Sequence, residues 1–406
     1  MGKALVDAEN GAGPAPIMMG GGNPAHIPQV QSVWRQRMEE ILADGDSFDR
    51  MLANYDSPQG KTAFLDAMAL MLQREYGWNV DARNIAITNG SQSAFFALFN
   101  LFAGLYPDGS KRHILFPLVP EYIGYADQVL FGEDFVSCPP HIEIQSEHRF
   151  KYHVDFSSLQ ITRNTAAICI SRPTNPSGNV VSDAEIQQLA ALAREHDIPF
   201  IIDNAYGFPF PGIMFAESTP YWDPNVILCM SLSKLGLPST RTGIIVASEP
   251  IIKALSSMTA IFSLANGNLG QVITLPMLLD GSILKLSEQI IKPYYQRKSL
   301  QAQHYLNKSL GSLAGWTAHQ SEGAIFLWLW LRDLEVSDSV LYERLKQRKV
   351  VVVPGSYFFY GSPPHAAYPQ HHRQCLRLSY AMDQEAVRRG IAILAEELDA
   401  LAAAGT

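Results

Sequence analysis

The chain has 406 residues, 47% of them hydrophobic and 17% charged, with a formal net charge of -8 at pH 7. That share of apolar residues supplies a large core without staples, and the acidic balance, with no basic block, argues against nucleic-acid or anionic-membrane partners. No uncharged apolar run reaches the roughly 18 residues of a membrane span, and the N-terminus shows neither an apolar leader nor a myristoylation pattern, because Val6 stands where Ser or Thr is required. Four cysteines, Cys138, Cys169, Cys229 and Cys375, are widely spaced without CxxC. They read as small buried hydrophobes of a reducing compartment, and the expectation is a cytoplasmic protein.

Residues 1–16, rich in Ala, Gly and Pro, read as a flexible lead-in. Gly20, Gly21 and Gly22 then precede Asn23 and Pro24, without the spacing or context of a dinucleotide loop; the backbone here is expected to approach a ligand closely. A helix over residues 27–42, a polar turn containing Tyr55 in NYDSPQG, and a helix over 61–76 follow. From residue 84 strands and helices alternate: strand 85–88, helix 95–102, strand 113–116, a helix beyond Tyr125, strand 166–171, helix 183–196 and strand 200–202. Strand, loop and strand then run from 228 to 246. This alternation implies a mostly parallel sheet covered by helices on both faces.

A long helical stretch over 282–310 comes next. Strand 324–331, helix 339–348, strand 350–353, strand 375–379 and helix 383–402 then form a smaller α+β unit. The expected division is an N-terminal segment 1–49 that joins the small domain, a large domain 50–282, and a small domain 283–406 that includes the connecting helix.

Several residues are chemically out of place. Lys234 ends an apolar run, and a buried ammonium needs either water or a partner. Around it stand the hydroxyls of Ser231 and Ser233, a glycine-containing turn, and Arg241 seven residues on. Hydroxyls, backbone amides and a guanidinium are the groups that hold a phosphate dianion. A desolvated lysine beside a phosphate site points to pyridoxal phosphate bound as a Schiff base. Asp203 ends another apolar strand, where a carboxylate is costly unless it meets a cation or a protonated ring. Ser91 and Gln92 follow Asn89-Gly90 at a helix start, whose free amides suit a capping oxygen or an anion. The rigid loop Pro173 to Gly178, containing Asn175, leaves the carboxyl end of a strand, where open α/β sheets bind ligands.

Taken together, SLSK at 231–234, PTNPSG at 173–178, DNAY at 203–206 and Arg377 in LRLSY resemble the fold-type I pyridoxal-phosphate aminotransferases of class I and II. The blocks GGGNPA, NYDSPQGK, TNGSQSAFF, PEYIGYAD and IDNAYGFPFPGI extend the resemblance over nearly the whole chain. It implies that Lys234 holds the cofactor and moves the proton at the substrate α-carbon, that Asp203 pairs with the pyridine nitrogen, and that Tyr206 and Asn175 donate to the ring hydroxyl. It further implies that Tyr122 stacks on the ring and that Ser91, Gln92, Ser231 and Arg241 hold the phosphate, with Tyr55 reaching over from a second subunit. The Lys234-to-Arg241 gap is one residue shorter than in many relatives. Arg377 is implied to clamp the substrate carboxylate, with Asn175 beside it and Gly21, Gly22 and Asn23 closing over it.

The expected function is therefore a homodimeric enzyme that moves an amino group between an aliphatic amino acid, of the valine or alanine type, and a 2-oxo acid such as pyruvate or 2-oxoisovalerate. The two half-reactions share one site. The same scaffold also serves lyases, cyclases and transaminases of specialised amino acids. A cofactor-binding regulator is disfavoured, because the family-like blocks begin by about residue 17 and leave no room for a DNA-binding domain. No metal site is expected: His365, His371 and His372 lie in the segment 361–373 at poor ligand spacing, and that segment reads as an exposed loop.

Overall fold

A computed structural model describes residues 15–130, 134–311, 313–333 and 335–404. Most of the lead-in at 1–16 lies outside the described residues. The larger sheet runs in the order Ile85–Asn89, Thr242–Val246, Val226–Ser231, Phe200–Asp203, Thr165–Ser171, Lys111–Phe116 and Gly104–Leu105, with Phe135–Ser137 also paired to Lys111–Phe116. The middle strands are parallel; Thr242–Val246 is antiparallel to both of its neighbours. Every residue of Thr165–Ser171, Phe200–Asp203 and Val226–Ser231 is buried. That is why these strands read as continuous apolar runs rather than alternating ones: helices cover both faces.

The helix Asp183–Glu195 shows how a cover is built. Ser182 and Glu185 form a reciprocal capping box at its start, and Ile186, Leu189, Ala190 and Ala193 make the buried stripe against the sheet. Removing each large side chain of such a stripe from water contributes about 1.5–3 kcal/mol.

The second sheet is ordered Val353–Pro354, Cys375–Ser379, Phe326–Leu331, Trp316–His319, Arg149–His153 and His141–Ser146. Its last two strands are a hairpin from the first half of the chain, docked parallel onto Trp316–His319. Ile17–Met18 pairs with Val350–Val351, which brings the N-terminal segment to the C-terminal unit.

Three expectations need correction. No helix follows Tyr125: among the described residues a short 3-10 turn, Ile123–Tyr125, leads through further turns toward Phe135–Ser137. The stretch 282–310 is not one uniform helix, because a π turn at Ser287–Ile291 separates Ser282–Leu286 from Lys292–Leu310. The 361–373 segment is not simply exposed: His371 is buried, with Nε2 2.5 Å from the Tyr152 hydroxyl, and Trp330 packs on its ring. Aromatic rings from two sheet strands supply a dry floor that a loop reading does not anticipate.

Candidate active site

Ser171 and Asp203 are partners in register, as are Asp203 and Cys229, so three parallel strands end on one rim. The loops that carry Asn175, Tyr206 and Lys234 all leave from that rim. After Ser231 the chain turns sharply: Ser231 Oγ donates to Ser233 Oγ at 2.9 Å and accepts from Ser233 N at 3.0 Å. This turn places Lys234 in the short 3-10 segment Ser233–Leu235, closed by Gly236 at φ +91°. Lys234 Nζ donates to Gly22 O at 2.5 Å and lies 5.2 Å from the centre of the Tyr206 ring. Burial pulls its pKa down to about 8, helped by the guanidinium groups of Arg377 and Arg241 and opposed by Asp203.

Asp203 is buried, with Oδ2 accepting from the Tyr125 hydroxyl at 2.5 Å and Oδ1 from Ala205 N at 2.9 Å. Burial raises its carboxyl to about 6, against the stabilising Tyr125 bond. A cation placed at this carboxylate relieves that burial cost. Tyr122 is perpendicular to Tyr125, at 5.2 Å between ring centres.

One end of the site has the donors of an anion cradle. The helix Ser91–Phe102 has no side-chain cap, so the amides of its first turn are unsatisfied. Gly90 precedes it at φ +82°, and any Cβ there would run into the Arg241 guanidinium, which lies against this helix start. Arg241 adopts φ +47° and donates from Nη1 to Pro238 O at 3.1 Å. Gln92 turns away from the cradle to donate to Gly124 O at 3.1 Å.

The other end is a buried guanidinium. Arg377 donates from Nη1 to Asn175 Oδ1 at 2.6 Å and from Nη2 to Gly20 O at 2.8 Å. Its Cζ lies 4.3 Å from the ring centre of Phe326 and 5.1 Å from that of Phe358. Burial draws its pKa down to about 10, and its Nε is buried without a hydrogen-bond partner among the described residues. Thus one loop touches both cations of the site, Gly20 at Arg377 and Gly22 at Lys234.

The structure brings together Lys234, Asp203, Tyr206, Tyr122, Asn175, Arg377 and the loop Gly21 to Asn23, with Ser91, Ser231 and Arg241 at the cradle. It does not bring Tyr55 in. That side chain is 83% exposed on its own chain, in a segment tied to Asn266 and Asn268. Tyr125, Phe326 and Phe358 were not singled out from sequence; the hydroxyl of PEYIGY three residues after Tyr122 was the one signal available for the first.

This donor set fits pyridoxal 5'-phosphate: free amides and Arg241 for the phosphate, a buried carboxylate for the ring nitrogen, and a depressed lysine between them. Residues 21–394 match the family model "Aminotransferase class I and II", and the chain belongs to that family of fold-type I, pyridoxal-phosphate-dependent enzymes. It is 50% identical over 386 residues to the valine–pyruvate aminotransferase of Escherichia coli K12, covering 95% of this chain and 91% of the relative. The crystal structure of valine-pyruvate aminotransferase from Salmonella typhimurium LT2 superposes with a TM-score of 0.89 at 47% identity, covering 98% of both chains. The kynurenine aminotransferase of Pyrococcus horikoshii, solved with PMP, shares the fold at a TM-score of 0.76 and 21% identity, covering 98% of this chain and 93% of that one.

Proposed function

We propose that this aminotransferase exchanges the amino group of L-valine or L-alanine with pyruvate or 2-oxoisovalerate, in two half-reactions at one site. The observation that carries the reading is the pairing of Lys234 with Arg377 across the loop Gly20 to Gly22. A nucleophilic amine and a carboxylate clamp are thereby held by carbonyls two residues apart on one loop. Identity to valine–pyruvate aminotransferases supports the aliphatic substrate.

When bound, pyridoxal phosphate supplies a carbonyl that condenses with amines and a ring that withdraws electrons from the substrate α-carbon. The protein's residues do the rest. Lys234, with a pKa near 8, is partly neutral at working pH, so it can bind the cofactor carbonyl and then take and return the α-proton. Asp203 would hold the ring nitrogen in its protonated form, with the Tyr125 hydroxyl orienting the carboxylate. Asn175 and Tyr206 would serve as donors to the cofactor's ring hydroxyl, and Tyr122 would supply the aromatic surface for its ring. Ser91, Ser231, Arg241 and the backbone amide of Gln92 would hold the phosphate, the Gln92 side chain being engaged by Gly124 O. Arg377 takes the substrate carboxylate in a fork, with its unpaired Nε and the amides of Gly21 to Asn23 available as further donors.

Two copies pair so that Tyr55 of the partner subunit completes the phosphate cradle. Supporting this, Tyr55 is exposed near an apolar face with Ile261 at 82%, Phe262 at 56% and Leu264 at 58% exposure. Phe262 also lines an open cleft of about 380 Å³ with Gln92 and Ser93, beside the cradle. We infer a cytoplasmic setting from the four buried free cysteines. No single helix among the described residues is long and apolar enough to cross a membrane.

The test is an absorbance spectrum of the yellow holoenzyme with L-valine or L-alanine alone. Bleaching, reversed by pyruvate or 2-oxoisovalerate, is the expected result; a band that neither amino acid bleaches overturns the substrate assignment. Lys234→Ala abolishes turnover while the phosphate group still binds, and bleaching of that variant at the wild-type rate rules out Lys234 as the nucleophile.

A further inference from the structure

Glu121 precedes the ring-stacking Tyr122 and is wholly buried, yet none of the steps above uses it. Its Oε1 accepts from Ser171 N at 2.8 Å. Its Oε2 accepts from Ser171 Oγ at 2.6 Å and from Tyr122 N at 3.2 Å. Its own amide donates to Phe358 O at 3.0 Å.

Each of those partners belongs to a different part of the site. Ser171 is the last residue of its strand, opposite Asp203 in register and four residues before Asn175. Phe358 belongs to a strap from the C-terminal sheet and faces the Arg377 guanidinium. The same strap is fastened to the large sheet nearby: the Tyr360 hydroxyl donates to Tyr122 O at 3.2 Å, Ser137 N to Gly361 O at 2.9 Å, and Ser137 Oγ to Tyr360 O at 2.8 Å. The ring cover and the strand end beside Asp203 therefore meet at the Glu121 carboxyl, and the main-chain amide of the same residue holds the strap that faces Arg377.

We propose that Glu121 is a positioning residue that sets the distance between the cofactor end and the carboxylate end of the site: its carboxyl ties Tyr122 to the Ser171 strand end and so fixes the main chain whose amide holds the Phe358 strap. A buried carboxyl is a costly way to fill space, since an apolar side chain of similar size carries no desolvation penalty. Burial raises its pKa to about 8, while the Ser171 and Tyr122 donors favour the charged form. What the carboxyl supplies, and an apolar group cannot, is two oxygens that accept from two fixed backbone amides at once.

The inference rests on the aminotransferase reading, and holoenzyme variants test it. Glu121→Gln keeps the shape but offers one oxygen for those two amides, so either Ser171 or Tyr122 loses its acceptor. The expected result is a rise in KM for both amino acid and oxo acid, with kcat/KM down about 100-fold. The visible circular dichroism of the bound cofactor changes, and exchange of the Ser171 or Tyr122 amide, whichever loses its acceptor, accelerates. Glu121→Asp restores part of each effect.

Wild-type KM, dichroism and exchange in folded Glu121→Gln overturn the proposal, as does a loss of thermal stability with those three readouts unchanged. If Glu121→Gln does not fold, Ser171→Ala removes a single hydroxyl donor and gives smaller shifts in the same readouts; wild-type values there also overturn it. A wild-type protein that exchanges no amino groups defeats the aminotransferase reading instead, while amide exchange still reports on Glu121.

Discussion

The cations at the two ends of the proposed site are set up by opposite means. At the cradle, Arg241 is exposed, lies against a helix start and adopts a strained φ of +47°. At the clamp, Arg377 is buried between two aromatic rings and gripped by Asn175 and the Gly20 carbonyl. A cofactor that stays bound through both half-reactions can be held by many modest contacts, several from backbone amides. A substrate carboxylate that arrives and leaves each half-cycle needs one dehydrated, preorganised group, whose attraction is larger because water is excluded.

The sharpest break in this contrast is Arg377→Lys. A point charge on a flexible stem cannot reproduce the fork, and its burial leaves Asn175 and Gly20 mispaired. We expect kcat/KM for the amino acid to fall about 1000-fold with cofactor affinity unchanged, read by steady-state kinetics beside cofactor titration of the apoprotein. Weakened cofactor binding in this variant would show the two ends to be one unit. Arg241→Ala gives the converse at smaller size: affinity for pyridoxal phosphate falls about tenfold in the same titration, while KM for the amino acid barely moves. A larger effect on KM than on cofactor affinity would remove Arg241 from the cradle.

The smallest effect concerns what lies behind the clamp. His371 bonds Tyr152, whose hydroxyl accepts from Trp328 Nε1 at 2.8 Å, and Trp328 packs on Phe358. Burial pushes the His371 pKa down to about 3, whereas an unfolded histidine takes up its proton near 6.5. Below pH 6.5 the unfolded chain thus binds a proton that the fold refuses. This contribution to stability is complete above pH 6.5 and is lost progressively as pH falls toward 3. His371→Asn should therefore show a shallower fall in Tm between pH 7 and 5 than the wild type; parallel curves would mean that His371 carries none of it.

The parts of the site legible in sequence were those whose local setting was chemically costly. Lys234 and Asp203 stood out because apolar strands ended in charge, and the helix start at Ser91 because small residues clustered there. Groups that matter through distant contacts were silent. Tyr125 meets Asp203 across 78 residues of chain and Glu121 meets Ser171 across 50, and no periodicity records such meetings. The alternation of strands and helices gave the large sheet, because buried parallel strands are continuous apolar runs. It missed the strand His141–Ser146, which has no fully buried residue and so resembles a loop. The helices Glu249–Ser263 and Leu269–Leu279 were also passed over, the second because its apolar residues leave almost no polar face to mark a period.

The hairpin His141–His153 also decides how this chain can be cut. A fragment beginning at residue 283 lacks the two strands that close one side of its sheet, which bares the backbone groups of Trp316–His319 as a free edge. It also loses Tyr152, the partner of His371 and Trp328. The second sheet is discontinuous in sequence, so chimeras with relatives that exchange its C-terminal strands at a single junction will mismatch this seam unless residues 141–153 travel with them.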